Sequence, residues 1–399
     1  MKQICLYFQV HQPRRLHPFD VFDIGSDRPI FDDILNIRIL HRVCHKGYEP
    51  ANDLLMRLIQ RFGNRVHLAF SLSGTVMEQM ATYKPQALKS FQSLASTGCV
   101  EFLGETYYHS LSFLLDEETY AKEILKHRQT IQHYFGQTPR IFRNTELIYS
   151  ERLLPIMDRL GFRGLVTEGV DRLLMGRSPH HVFQPNWHRD IGVLLRDYMR
   201  SDDIAFRYTD REWEHHPLEV ETFAQWIEEI EGELINIFMD YEMLGEHQGG
   251  ETGIFRFLED WITYTLQENL AEFVSPSQLI RSKIPSHFFT SKEWISWADT
   301  ERDLSAWNGN EMQQEALAKI QELRQPMQAI SRAQASPQLW DTWHYLTQSD
   351  HFYYMATKEG NDGEVHQYFS PFASPHAAYL HYMNVIAHIQ HQLSDWSRD

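Results

Sequence analysis

Six short apolar runs set the strongest limit on what this chain can fold into: ICLYFQV (4–10), VHLAFSL (66–72), VEFLGE (100–105), PRIFRNTE (139–146), FRGLVTEG (162–169) and ELINIFMDYE (233–242). Between most of them lie helix-like segments, among them NDLLMRLIQRF (52–62), EETYAKEILKHRQTIQHYF (117–135), ERLLPIMDRL (151–160) and EVETFAQWIEEI (219–230). Runs of this length with little apolar–polar alternation are buried on both faces, which parallel strands achieve when helical crossovers cover the sheet. The alternation is βαβα, and it predicts an α/β fold around a parallel sheet.

Several of these runs give way at their C-terminal ends to residues that can do chemistry: His11 and Gln12, Glu105, Glu146, and Asp240 with Glu242. In parallel barrels the active site is built at that end, so these groups are expected to converge. The stretch 200–216 lacks strand alternation and reads as a decorated loop or short helix. Beyond about residue 310 the strands stop, and EMQQEALAKIQELRQ (311–325) and SPHAAYLHYMNVIAHIQHQL (374–393) read as amphipathic helices. A chain of 399 residues exceeds most single cores. The expected division is a barrel over 1–309 and a helical region over 310–399 packed against it, since no Gly/Ser linker separates them.

A net charge of −17 argues against DNA or RNA as partner, because phosphate binding draws on clustered Lys and Arg. Cys5, Cys44 and Cys99 form neither a disulfide framework nor a CxxC pair. The first apolar run meets Gln9 and His11 too early for a signal-peptide core, and no stretch approaches the ~20 apolar residues of a membrane span. A cytoplasmic protein without a membrane partner is the expectation.

Glu146 and Asp240 are the sharpest candidate pair. Glycosidic hydrolysis needs one carboxylate to attack or stabilise the anomeric carbon and a second group to protonate the leaving oxygen. The competing view is that each pairs with a local cation, Glu146 with Arg143 for example. Asp240, Glu242, Glu246 and His247 crowd into eight positions, where mutual repulsion raises at least one carboxyl pKa. Either Asp240 or Glu242 can be the proton donor on this logic. His11, His109 and His247 are further candidates, although a lone strand-end histidine is more often a satisfied structural residue than a catalyst. His11, His109, Glu105 and Asp240 could surround zinc, yet no HxH, HxHxD or HExxH spacing is present, so neither metal nor cofactor is expected. Nor is there a GxSxG elbow, a P-loop or a GxGxxG. Sugar rings stack on aromatic faces. Among ten Trp, Trp307 in DLSAWNGNEMQ is the best stacking candidate, with Tyr107 and Tyr108 past Glu105, and Asp350 among the aromatics of SDHFYYM.

In order, HQP (11–13), GETYYHSL (104–111), FRNTELIYS (142–150), FMDYEMLGEH (238–247) and DLSAWNGNEMQ (303–313) resemble the five motif regions of glycoside hydrolase family 57, with greatest similarity to its α-amylase-like group. The resemblance spans roughly three quarters of the chain. It implies an incomplete (β/α)7 barrel with a C-terminal helical region, no cofactor, and a retaining mechanism on α-1,4-glucans or maltodextrins. It further implies Glu146 as nucleophile and Asp240 as general acid/base, with His11, Glu105, His109, Glu242, His247, Trp307 and Asp350 at the sugar site. Met243, Leu244 and Asn308 depart from the amylase-type pattern, which leaves the preferred glucan open. The alternatives are a 4-α-glucanotransferase or branching enzyme, a non-catalytic glucan-binding protein, and a metal-dependent deacetylase or mannosidase on a related barrel.

Overall fold

The computed structural model describes residues 1–332, 337–358 and 370–396. All six apolar runs are strands: β1 Lys2–Val10, β2 Leu68–Leu72, β3 Val100–Phe102, β4 Ile141–Arg143, β5 Gly164–Glu168 and β8 Leu234–Asp240. Between the last two come β6 Val182–Gln184 and β7 Gly192–Arg196, and β9 Ala271–Phe273 and β10 His287–Phe288 follow. Strands β6, β7, β9 and β10 lie outside the six apolar runs. The stretch after β7 forms a helix, Tyr198–Ala205.

The regular ladders form two five-stranded sheets. The first is ordered β3-β2-β1-β8, with β9 also on β1, and is parallel throughout. The second is ordered β10-β6-β7-β5-β4, with β6 antiparallel to β7. The sheets meet at two seams. At one, Gly104 N donates to Ile141 O (2.9 Å) and Arg143 N to Gly104 O (2.8 Å); at the other, Asp197 N donates to Asn236 O (2.8 Å). The architecture is α/β with mixed sheets and a helical C-terminal region; the ladders do not run into one closed sheet.

Register decides what faces what. Ile4, Leu6, Phe8 and Val10 of β1 pack with the surrounding helices, whereas Cys5 and Tyr7 point into a small cluster shared with Ala69, Ile141, Val166, Leu194 and Phe238 from both sheets. Side chains two apart share a face. The same inner face therefore carries Gln9, Ser71, Arg143, Glu168, Arg196 and Asp240 at the C-terminal ends of β1, β2, β4, β5, β7 and β8.

Helices Glu311–Arg332, Pro337–Leu346, Ser349–Tyr353 and Pro375–Trp396 make up the C-terminal region; within 310–399, residues 333–336, 359–369 and 397–399 lie outside the described residues. Their apolar faces close over Leu16, Phe19, Phe31, Tyr107, Tyr108 and Ile148 from the loops that follow β1, β3 and β4. Trp343, fully buried there, donates its indole N–H to Ile320 O (2.8 Å). No helix among the described residues is long and apolar enough to cross a membrane.

One packing feature shapes the site from behind. Helices Asp33–Val43 and Glu49–Phe62 are joined by a π-helical turn, Cys44–Tyr48, an irregularity often found beside functional groups. The turn abuts the loop after β8: Gly245 has φ +96°, and a Cβ there would lie 2.0 Å from Lys46 O. Both the backbone conformation and the contact demand glycine. Gly245→Ala is expected to cost about 2 kcal/mol of stability, read from the urea unfolding midpoint; an unchanged midpoint would show that this contact does not constrain the turn.

Candidate active site

The inner-face polar residues open into a cleft of about 1080 Å³ whose wall includes His11, His109, Glu146, Asp240, Glu242, His247 and Asp350. The two carboxyls in question, 94 positions apart in sequence, thus share one cavity.

Glu146 follows β4 in a turn where it and Leu147 both adopt left-handed backbone, φ +55° and +50°. His109 does the same at φ +55°. Non-glycine residues in this region are strained, and such strain concentrates at functional sites. The strained turn brings Glu146 among donors. His109 Nε2 lies 3.0 Å from Oε1, Ser349 Oγ donates to Oε1 (3.2 Å), and Trp297 Nε1 donates to Oε2 (2.8 Å). Burial pushes the Glu146 carboxyl up, but these donors and the charges of His109 and Arg143 outweigh it and hold the group at about 2. The side chain still keeps 22% of its exposure, toward the cleft.

His109 is the middle of a buried chain. Its Nδ1 lies 3.2 Å from Glu105 Oε2 and its Nε2 faces Glu146. Burial opposes its charge, yet the two carboxylates raise it to about 9. At neutral pH it is an imidazolium that donates from both nitrogens. It stacks on His11 at 4.1 Å between ring centroids. Burial and the neighbouring His109 charge lower His11, which contacts Ser73 Oγ (2.6 Å) and Asp350 Oδ2 (3.0 Å). Asp350 is held down below the usual carboxylate range, chiefly by His11 acting against burial.

Asp240 is displaced the other way. Burial and the Glu146 charge push it up to about 7, only partly offset by Arg143, His109 and Arg196. Glu242, two positions on, is raised as well, by burial and by Asp240. Its Oε1 accepts from Tyr48 OH, from Gln12 Nε2 (3.3 Å) and from His11 N (3.4 Å). A cleft holding Glu146 as an ionised carboxylate beside Asp240 and Glu242, both displaced toward the protonated form, has the two states that acid/base-assisted displacement needs.

Two expected sugar-site residues do not reach the cleft. Glu105 is fully buried behind His109. Trp307 is 1% exposed in the C-terminal hydrophobic cluster and stacks on Tyr353, which does line the cleft. Its helix, Ser305–Asn308, turns the indole into the core because Ala306 and Trp307 form its buried face. His247 is on the wall, its pKa lowered to about 4 by burial. Of the atypical positions, Met243 lines the cleft, Leu244 is core, and Asn308 is exposed elsewhere.

Sequence reasoning missed Trp297, Arg196 and Ser349, whereas Tyr353 belongs to the SDHFYYM aromatics already singled out. Trp297 lies in a loop, EWISWADT, without strand or helix periodicity, and only its paired tryptophans signal anything. Arg143 was seen only as a local partner for Glu146. Instead its guanidinium is fully buried, makes no hydrogen bond among the described residues, and lies 5.2 Å over the Trp297 ring. Among the described residues no group of three or more His, Cys, Asp or Glu is arranged to hold a metal ion.

A family model described as Glycosyl hydrolase family 57 matches residues 5–292. A protein of Methanocaldococcus jannaschii carried under the provisional name alpha-amylase is 36% identical over 405 residues, covering 98% of this chain and 85% of its own length. Among solved structures, a GH57-type branching enzyme from Pyrococcus horikoshii superposes with a TM-score of 0.69 at 14% identity, over 92% of this chain and 87% of that one. A 4-alpha-glucanotransferase from Thermococcus litoralis gives 0.60 at 13% identity over 92% of this chain, which spans only 54% of that larger protein. At such identities the two structures speak for the fold. The extent of the family match and the 36% identical full-length relative decide the matter together: the chain belongs to glycosyl hydrolase family 57.

Proposed function

We propose that the protein is a retaining hydrolase of α-1,4-glucans, with Glu146 as nucleophile and Asp240 as general acid/base. The observation that carries this reading is the opposite displacement of the two carboxyls within one cleft, Glu146 to about 2 and Asp240 to about 7. In the first step Glu146 attacks the anomeric carbon while Asp240 delivers its proton to the leaving oxygen. In the second, Asp240, now ionised, takes a proton from water as water displaces Glu146 from the sugar. Asp240 is set for that exchange by Glu146 itself: once Glu146 is esterified its negative charge is gone, and the Asp240 carboxyl is easier to ionise.

On this reading His11, His109, Glu242, His247 and Asp350 contact the sugar, while Glu105 and Trp307 support them from behind. Strands β1, β2, β3, β4, β5, β7 and β8 act as the staves of an incomplete (β/α)7 barrel. The hydrogen bonds at both seams support that ring, and the onset of the long helix at Glu311 supports a division into 1–309 and 310–399. Three buried free cysteines fit a reducing compartment such as the cytoplasm. The named relative favours hydrolysis, and the branching and glucanotransferase neighbours keep transfer as the second reading. Both share the glycosyl-enzyme and differ only in whether water or a sugar hydroxyl accepts. Longer products from maltoheptaose would select transfer.

Three outcomes are expected. Glu146→Gln, nearly isosteric but unable to form the ester, lowers kcat by about 10⁴-fold with folding intact by circular dichroism; near-parental turnover would remove Glu146 from the role. NMR of the reaction on an α-glucan shows the α-anomer first, whereas initial β-anomer would mean inversion. The kcat/KM profile follows from the two carboxyls. Activity needs Glu146 ionised and Asp240 protonated, so the rate holds between their values and falls as pH rises through about 7. Activity still climbing at pH 9 would reject Asp240 as the acid.

A further inference from the structure

Among the described residues, Phe206 is the one large apolar side chain that is both exposed, at 49%, and part of the cleft wall. The other exposed ones, such as Trp187 at 87%, lie outside the cleft. An exposed ring on a cleft wall is a binding feature more often than a packing residue. No other ring packs on Phe206 among the described residues, and about half of the side chain stays open.

The backbone that carries the ring is tied down. Phe206 ends helix Tyr198–Ala205, its N–H donating to Asp202 O (2.9 Å). Arg207 beside it pairs with Asp203 (2.7 Å) and donates to Met199 O (2.7 Å). Gln248 Nε2 donates to Ile204 O (2.6 Å) and Ala205 O (2.7 Å), which fastens the helix end to the loop that follows Asp240. At the other end of the helix, Tyr198 also lines the cleft, its hydroxyl on Asp171 (2.9 Å) and one ring face covered by the Arg302 guanidinium at 3.9 Å. Along the helix axis Tyr198 and Phe206 are about 12 Å apart. The arginines on this wall are already neutralised: Arg196 by Glu168 and Asp202, Arg207 by Asp203, and Arg302 by Glu168. The surface therefore suits a neutral ligand that has both hydroxyls and an apolar face, not an anion.

We propose that Phe206 is the stacking platform of a distal glucan subsite, which makes the enzyme favour long chains over short ones. This rests on the glucan reading above. The test uses the Glu146→Gln protein, so that bound sugar is not consumed, and compares maltoheptaose with maltotriose by isothermal titration. Adding Phe206→Ala should weaken maltoheptaose about tenfold relative to maltotriose, with recovery in Phe206→Trp and no such change in Trp187→Ala. Thermal melting checks that each variant folds. The proposal is overturned if Phe206→Ala leaves the maltoheptaose affinity within about twofold, if it weakens both sugars equally, or if Trp187→Ala has the same effect. Failure of both sugars to bind the parent Glu146→Gln protein would instead sink the glucan reading and take the subsite with it.

Discussion

The buried chain Glu105–His109–Glu146 is the interaction on which the site depends. An imidazolium between two carboxylates satisfies both of its donors and neutralises one of the two negative charges it touches. The Arg143 guanidinium, buried and without a hydrogen bond among the described residues, offsets the other through space and rests against the Trp297 face. Remove the central cation and Glu105 becomes a fully buried carboxylate left with Gln9 Nε2 (3.4 Å) and with His127 at 4.0 Å, whose own charge is disfavoured by burial. The left-handed backbone at His109, Glu146 and Leu147 is the conformational cost of bringing this chain together.

That same charge arrangement separates the two carboxyls. Glu146 sits among donors and stays ionised; Asp240, buried and facing the Glu146 charge, stays protonated into the neutral range. The difference is environmental, since the two side chains have nearly the same intrinsic acidity. Asp240 in turn helps to raise Glu242, two positions on.

The C-terminal helices contribute to the chemistry as well as to the packing. Helix Ser349–Tyr353 delivers Ser349 to Glu146 and Asp350 to His11, and Ser349 N donates to His109 O (3.0 Å). These groups reach the cleft because Trp343 and its neighbours bury their apolar faces against the loops after β1, β3 and β4. Burial of that area is the driving force that holds a region distant in sequence at the reacting centre.

Apolar runs and helical periodicity by themselves determined the α/β class, six of the strands and the helical C-terminal region. The period-two geometry of a strand also determined that Asp240 would share a face with Leu234 and Phe238, and Arg143 with Ile141. Position at strand ends singled out Glu146 and Asp240, motif resemblance gave them roles, and the three cleft histidines, His11, His109 and His247, were all among the candidates. Tertiary structure decided the rest. Whether an aromatic residue meets the ligand or the core depends on which face of a short helix is covered, which is why Trp307 is interior and Trp297, from a loop with no period, contacts Glu146. Which carboxyl is charged depends on donors arriving from the loop after β3, the loop that carries Trp297 and a helix some 200 positions away, together with the Arg143 charge on β4; local sequence carries residue types, and the electrostatic environment exists only once those segments are brought together.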